Sequence, residues 1–273
     1  MRSFRERYGD WALVTGASSG IGREFAKQLA ARNLDVVLVA RRKERLEQLA
    51  AELAAEHGVR TRILVADLSQ PSGIETVVRG TADIDVGLLV NNAGREDSGR
   101  FLDTPVEELL ASIDVNSKAP LQLSHHFAQR MRSRGRGGIL FMSSIVAFQG
   151  VPYIANYAAT KAYDLVLAES LSAELRQWNI DVSVIAPGFT ETELSPDFNF
   201  DGLPMKPMSA AQVAREGIES LGRSRLTVPG VINKFLYASG KFLQTRRMST
   251  YGFGRVFGRV LRLKLNPKDT QIG

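Results

Sequence analysis

Tyr157 and Lys161 stand four residues apart in Tyr157-Ala158-Ala159-Thr160-Lys161. On a helix, side chains at i and i+4 share one face, so the spacing predicts an ammonium lying beside a phenol. A free phenol titrates near about 10 and exchanges protons poorly at neutral pH, whereas a neighbouring cation favours the phenolate and draws the pKa down. Tyr157 could then give a proton to a carbonyl oxygen or take one from an alcohol. Ser144, thirteen residues upstream, offers a hydroxyl to the same oxygen as charge develops there. Alone, Tyr-x-x-x-Lys is weak, because amphipathic helices produce it by chance. The order of the surrounding elements decides its weight.

Those elements alternate between strand and helix. Trp11-Ala12-Leu13-Val14-Thr15 reads as a short buried strand running into Gly16-Ala17-Ser18-Ser19-Gly20-Ile21-Gly22 and then a helix with Phe25, Leu29 and Ala30 on one face. Strand, glycine turn and helix start in that order make a phosphate cradle, because backbone N–H groups and the positive helix end meet a pyrophosphate where no Cβ intrudes. Asp35 to Ala40 is a second strand ending in Arg41-Arg42. An acidic residue at that end would bind the ribose 2′-hydroxyl of NAD; a guanidinium there suits the 2′-phosphate of NADP. The plainer reading is that the two arginines open a solvated helix.

Lys43 to His57 is a charged helix with Leu46, Leu49 and Leu53 inward, ended by Gly58. Thr61 to Ala66 is strand three, followed by Asp67, placed either to meet an adenine or to cap a turn. Strand four, Val86 to Val90, delivers Asn91-Asn92-Ala93-Gly94. A helical region from about Pro105 to Arg132 carries Asn116 in Asp114-Val115-Asn116-Ser117, a run unfavourable for an uninterrupted helix. Gly137-Gly138 breaks to strand five, Ile139 to Met142, placing Ser143 and Ser144 at its carboxyl edge. The helix of Tyr157 runs to about Trp178, and strand six, Asp181 to Ala186, ends in Pro187-Gly188. This alternation predicts an α/β fold, a doubly wound parallel sheet with helices on both faces and ligands at the carboxyl ends of the strands. Every candidate residue falls at such an end or on the helix beside it.

Composition narrows the chemistry. The 273 residues fit one large domain with a substantial core. With no cysteine, disulfides, zinc-thiolate sites and thiol nucleophiles are excluded. His125 and His126 are adjacent and point apart, with no ligand at metal spacing, so no metal site is expected. The opening stretch lacks a signal peptide's apolar core and no run is long enough to span a bilayer, which points to the cytoplasm. The net charge of +6 is local: ten Lys or Arg and no Asp or Glu lie between Arg225 and Lys268, while the remainder carries 25 basic against 29 acidic residues, a net of −4. The body therefore offers no nucleic-acid footprint.

Taken together, Thr15-Gly16-x-x-x-Gly20-x-Gly22, Asn91-Asn92-Ala93-Gly94, Asn116, Ser144, Tyr157-x-x-x-Lys161 and Pro187-Gly188 resemble the short-chain dehydrogenase/reductase family over roughly residues 10 to 190. The resemblance implies a Rossmann-type fold and a catalytic set of Asn116, Ser144, Tyr157 and Lys161. Tyr157 is then the general acid/base, Lys161 lowers its pKa and binds the nicotinamide ribose, Ser144 positions the carbonyl, and Asn116 holds a water in a proton relay. It further implies cofactor contacts from Thr15, Gly16, Ser18, Ser19, Gly20, Ile21 and Gly22, from Arg41, Asp67 and Leu68, and from Asn92, Ala93 and Gly94. Tyr157, Lys161, Pro187, Gly188, Thr190 and Thr192 complete the contacts, the last toward the nicotinamide amide. Arg41 matches the basic position of NADP-preferring members, while Ser19 stands where some carry a second. The expected reaction is reduction of a ketone by NADPH, in a homo-dimer or homo-tetramer. The alternative is an NADP-binding regulatory or peripheral membrane protein without turnover.

Two segments lie beyond this frame. Residues 189–208 have no regular period and carry Leu194, Phe198, Phe200, Leu203, Met205 and Met208 among prolines, either as a lid over an apolar, lipid-like ketone or as side chains that simply pack on the body. They belong to a catalytic domain at 8–230. From 231 to 273 runs a basic extension: Ile232, Phe235, Leu236, Phe242 and Leu243 suggest one amphipathic segment, and Phe253, Val256, Phe257, Val260 and Leu261 another, with Arg255, Arg259 and Arg262 largely opposite. Such a tail can lie on the inner membrane surface, cover the cleft or pack between subunits. Pelleting with anionic vesicles, full-length chain against one ending near Leu226, separates these.

Overall fold

The computed structural model describes residues 3–193, 207–242 and 245–261. Its strands are β1 (Trp11–Thr15), β2 (Asp35–Ala40), β3 (Thr61–Val65), β4 (Val86–Asn91), β5 (Gly137–Met142), β6 (Ile180–Ile185) and β7 (Leu226–Thr227). All pair in parallel in the order β3-β2-β1-β4-β5-β6-β7. The order reverses between β1 and β4, and at such a switch point the loops on the two sides part and leave a crevice at the carboxyl edge.

Among the described residues ten α-helices accompany the strands: α1 (Phe4–Tyr8), α2 (Gly20–Ala30), α3 (Lys43–His57), α4 (Pro71–Arg79), α5 (Val106–Ile113), α6 (Ala119–Arg134), α7 (Ala155–Glu174), α8 (Ala210–Ser220), α9 (Val231–Phe242) and α10 (Arg246–Val260). Successive strand side chains point to opposite faces, and here both faces are apolar. Ala12, Val14, Val36 and Leu38 pack with Phe25, Leu29, Leu46 and Ile218 on one side; Leu13, Val37, Leu89 and Phe141 pack with Leu123, Phe127, Met131 and Leu165 on the other. A third apolar cluster sits past the carboxyl edge, where Ile145, Val146, Ile154 and Tyr157 meet Phe257.

The predicted bounds of β1, β2 and α3 coincide with those observed, β3 and β4 differ by a residue at one end, and β6 by a residue at each end. Gly137-Gly138 is a correction: the pair opens β5 instead of breaking before it. A Cβ on Gly138 would stand 2.8 Å from the Tyr8 ring, which α1 tucks under the sheet. The expected interruption near Asn116 is a π-helical turn over Asp114–Lys118 joining α5 to α6, an insertion that re-aims the side chains of the turn. α1, α4, α8 and β7 were not foreseen from the sequence.

Candidate active site

The first cofactor-sized feature is a cradle where β1 turns into α2. Thr15 Oγ1 accepts from the backbone N–H of Asn92 (3.0 Å) and of Ala93 (2.9 Å), and Asn92 Nδ2 donates to Thr15 O at 2.9 Å. These bonds draw the loop after β4 against the glycine turn so closely that a Cβ on Gly22 would run into the carbonyl oxygen of Gly16. No side chain caps the start of α2, so its first N–H groups are left for an anion. Backbone donors and the absence of Cβ atoms together fit a dinucleotide's diphosphate.

From the cradle a cavity of about 670 Å³ runs along the carboxyl edge of the sheet. Of the residues singled out in the sequence, Gly16, Ser18, Ser19, Gly20, Ile21 and Gly22 line one end, together with Arg41, Asp67 and Leu68. Asn92, Ala93 and Gly94 form its floor, and Ser144, Tyr157, Lys161, Pro187, Gly188, Thr190 and Thr192 line the rest. Thr15 and Asn116 are not on the wall; each braces it from behind.

At the far end of the cradle the arginine in contact with the serines is Arg42, one residue beyond the expected Arg41. Its guanidinium donates to Ser18 Oγ (3.0 Å) and Ser19 Oγ (2.7 Å) and pairs with Glu193 at 2.7 Å; Arg45 pairs with the same carboxylate at 2.7 Å. Arg41 lines the cavity beside it. The Arg41-Arg42 dipeptide was the available signal, but strand geometry alone does not say which side chain turns inward. Asp67 lines the cavity and caps the turn that follows, its Oδ1 accepting from the Ser69 N–H (3.0 Å) and hydroxyl (2.8 Å). Burial pushes its carboxyl up, but those two bonds and the charges of Arg41 and Arg95 outweigh it and hold the pKa below the usual range.

At the other end β5 delivers Ser144, and Ser143 Oγ donates to Lys161 O at 2.7 Å, fastening α7 to the strand. Tyr157 and Lys161 project from one face of α7, with Lys161 Nζ 5.8 Å from the phenol ring centre. The ammonium donates to Met142 O at 2.8 Å and to Asp164 Oδ2 at 3.2 Å. Here the structure corrects an expectation. The Tyr157 phenol is pushed up, by burial first and then by the charges of Glu96, Asp164 and Asp97, against the opposing pull of its hydrogen bond with Ser144. The Lys161 ammonium is itself paired with the Asp164 carboxylate. The Asn116 side chain is likewise committed: Oδ1 accepts from Arg95 N–H at 2.8 Å, and Nδ2 donates to Arg95 O at 2.8 Å and Thr160 Oγ1 at 3.0 Å. It ties the π turn to the loop after β4 and to α7.

The roof is apolar. The Phe189 and Phe257 rings meet at a tilt of 44° with centres 5.6 Å apart, and Phe253 lines the cavity with them. Phe257 and Val260 are buried, so the described part of the second amphipathic segment covers the cleft. On α9, Asn233 anchors the loop, donating to Pro229 O at 2.9 Å. Met208 bridges back to Thr190. Leu194, Phe198, Phe200, Leu203, Met205, Leu243 and Arg262 lie outside the described residues, as do the side chains of Leu236 and Phe242. Sequence reasoning missed Arg42, Glu96, Asp164, Glu193 and Asn233; of these only Arg42 adjoined a recognised motif.

Comparison with known proteins agrees with this arrangement. The family model for short chain dehydrogenases matches residues 10–201. A 7beta-hydroxysteroid dehydrogenase of Collinsella aerofaciens is 34% identical over 241 residues, spanning 85% of this chain and 90% of that protein. A very-long-chain 3-oxoacyl-CoA reductase of Pyricularia oryzae is 39% identical over 265 residues, spanning 94% and 78%. The solved structure of a short-chain dehydrogenase from Sphingobium yanoikuyae in complex with NADPH superposes with a TM-score of 0.77 at 32% identity, covering 86% of this chain and 96% of that one. The family model and these relatives, each covering most of the chain, show that it belongs to the short chain dehydrogenase family and is an NAD(P)-dependent oxidoreductase.

Proposed function

We propose that the protein reduces a lipophilic ketone to a secondary alcohol, with NADPH as reductant. The observation that carries this is one cavity bearing the glycine cradle and two arginines at one end and Ser144 and Tyr157 under an aromatic roof at the other. When bound, the cofactor supplies the hydride; the rest is done by the chain. Ser144 and Tyr157, which line the same cavity, present two hydroxyls that can converge on one carbonyl oxygen. As negative charge grows there, Ser144 stabilises it and Tyr157 gives up its proton. The raised phenol pKa suits this direction, because the donor must enter the step protonated. Ile145, Val146, Ile154 and Phe257 keep water from the site, which strengthens both hydrogen bonds. Lys161 and the groups around the cradle would hold the nicotinamide ribose and diphosphate.

The substrate class follows from the roof and is shared with the relatives, which include enzymes named for a hydroxysteroid and for a very long acyl chain. A panel of 7-oxosteroids, 3-oxoacyl-CoA esters and short ketones, followed by NADPH consumption, tests it. Turnover confined to the short ketones would overturn a lipophilic substrate.

Preference for NADP rests on Arg42 and Arg41. A charged hydrogen bond contributes about 1.5–3 kcal/mol, so Arg42→Ala should raise KM for NADPH by about tenfold to a hundredfold while leaving KM for NADH nearly unchanged. Equal effects on the two cofactors would rule out contact with the 2′-phosphate. A homo-oligomer belongs to the same proposal: Leu121, Tyr163 and Val166 leave an exposed apolar face on α6 and α7, and sedimentation velocity measures the mass. Membrane contact is supported by α9, where Val231 and Phe235 are 83% and 70% exposed; the vesicle comparison described above decides it.

A further inference from the structure

Two ionisable side chains on α7 are withdrawn from water almost completely. Lys161 is 3% exposed and Asp164, one turn further on, 2%. Their charged ends meet at 3.2 Å, and the second carboxylate oxygen of Asp164 is buried with no hydrogen-bond partner among the described residues. A buried carboxylate is costly even beside a cation, and an apolar side chain in its place is often as stable or more so. Leu165 and Ala168, its neighbours on the same helix, are apolar and buried. Asp164 is therefore poorly explained as packing. What it touches is the ammonium nearest the proton donor.

We propose that Asp164 is a positioning residue for the reduction: it holds the Lys161 ammonium against Met142 and neutralises it, so that Tyr157 gives its proton beside an ion pair instead of beside a lone cation. This rests on the ketone-reductase reading of the site. The charged groups facing Tyr157 are Glu96 and Asp97 from the loop after β4 and Lys161 and Asp164 from its own helix, three carboxylates against one ammonium. The balance keeps the phenol protonated across the physiological range, the state that donates. Burial, opposed by Lys161, pushes the Asp164 carboxyl up to about 6. The sign follows. Below that pH Asp164 is neutral, the Lys161 charge is unopposed, and the phenol becomes more acidic; above it the carboxylate is restored and the phenol holds its proton more firmly.

Tyrosine labelled with carbon-13 at Cζ, its Tyr157 resonance assigned by Tyr157→Phe, reports both effects without needing a substrate. The wild-type resonance should show an inflection between about pH 5 and 7. Asp164→Asn should lose that inflection, and its phenol should ionise at least about one pH unit lower, as removal of a nearby buried charge requires. Asp164→Ser, a smaller neutral side chain, should shift the same way if the charge and not the shape matters, and it serves alone should the asparagine variant fail to fold. The high-pH fall in kcat/KM for the panel ketone turned over fastest should move down by the same amount. An unchanged profile and no inflection would overturn the role of Asp164 while leaving the reductase intact. Absence of turnover in the whole panel would instead overturn the reductase reading, with the resonance still reporting the charge coupling.

Discussion

Tyr157→Phe will lower kcat/KM for ketone reduction by about 10²- to 10⁴-fold, the range a positioned general acid contributes, and will leave NADPH affinity within about twofold. The exchange removes one hydroxyl from a ring that is buried against Ile154, Ala158 and Phe257, and the ring itself stays. Loss confined to kcat with intact binding is the mark of an interaction made in the transition state. Steady-state rates and a fluorescence titration of bound NADPH give the two quantities. If the variant turned over at wild-type rate, Tyr157 would not be the proton donor and the assigned chemistry would be wrong. If affinity fell in step with rate, the ring would be holding the cofactor.

Phe257→Ala will destabilise the protein by about 3 kcal/mol or more, the cost of emptying an aromatic site in a packed core, and will raise KM for lipophilic ketones more than for short ones. Phe257 is 3% exposed and closes the cluster that carries Tyr157. Its ring meets that of Phe189, the first residue of the loop beyond Gly188. Thermal melts measure the first effect, and KM across the ketone panel the second. A large loss of stability with the same loss of affinity for every ketone would make Phe257 a structural residue only.

Much of this was legible in the sequence because it depends on local pattern. β1, β2 and α3 were bounded correctly from apolar runs and a terminal glycine, and about half of the residues lining the cavity were named in advance, most of them as contacts the family resemblance implies. What escaped depends on contacts between distant segments. Gly137-Gly138 reads as a break until the Tyr8 ring, far away in the chain, is found to occupy the space beside it. Both Arg41 and Arg42 line the cavity, and the bonds of Arg42 to Ser18, Ser19 and Glu193 depend on segments distant from it in the chain. The electrostatics of Tyr157 were misjudged for a simpler reason. Its i+4 partner was weighed and the i+3 partner of that lysine was not, although Asp164 stood in plain view three residues on.

α10 packs on the active site through Phe253 and Phe257, and this has a bearing on synthesis. Ribosomes make a protein from its amino terminus, so the nascent chain can complete its diphosphate cradle well before the helix that seals the oily chamber has emerged. A message cut short within that helix would yield a protein still able to take up nicotinamide dinucleotide, yet with Ile145, Val146 and Ile154 laid bare to chaperones and to its own copies. Quality control would meet a cofactor carrier with an open, sticky flank.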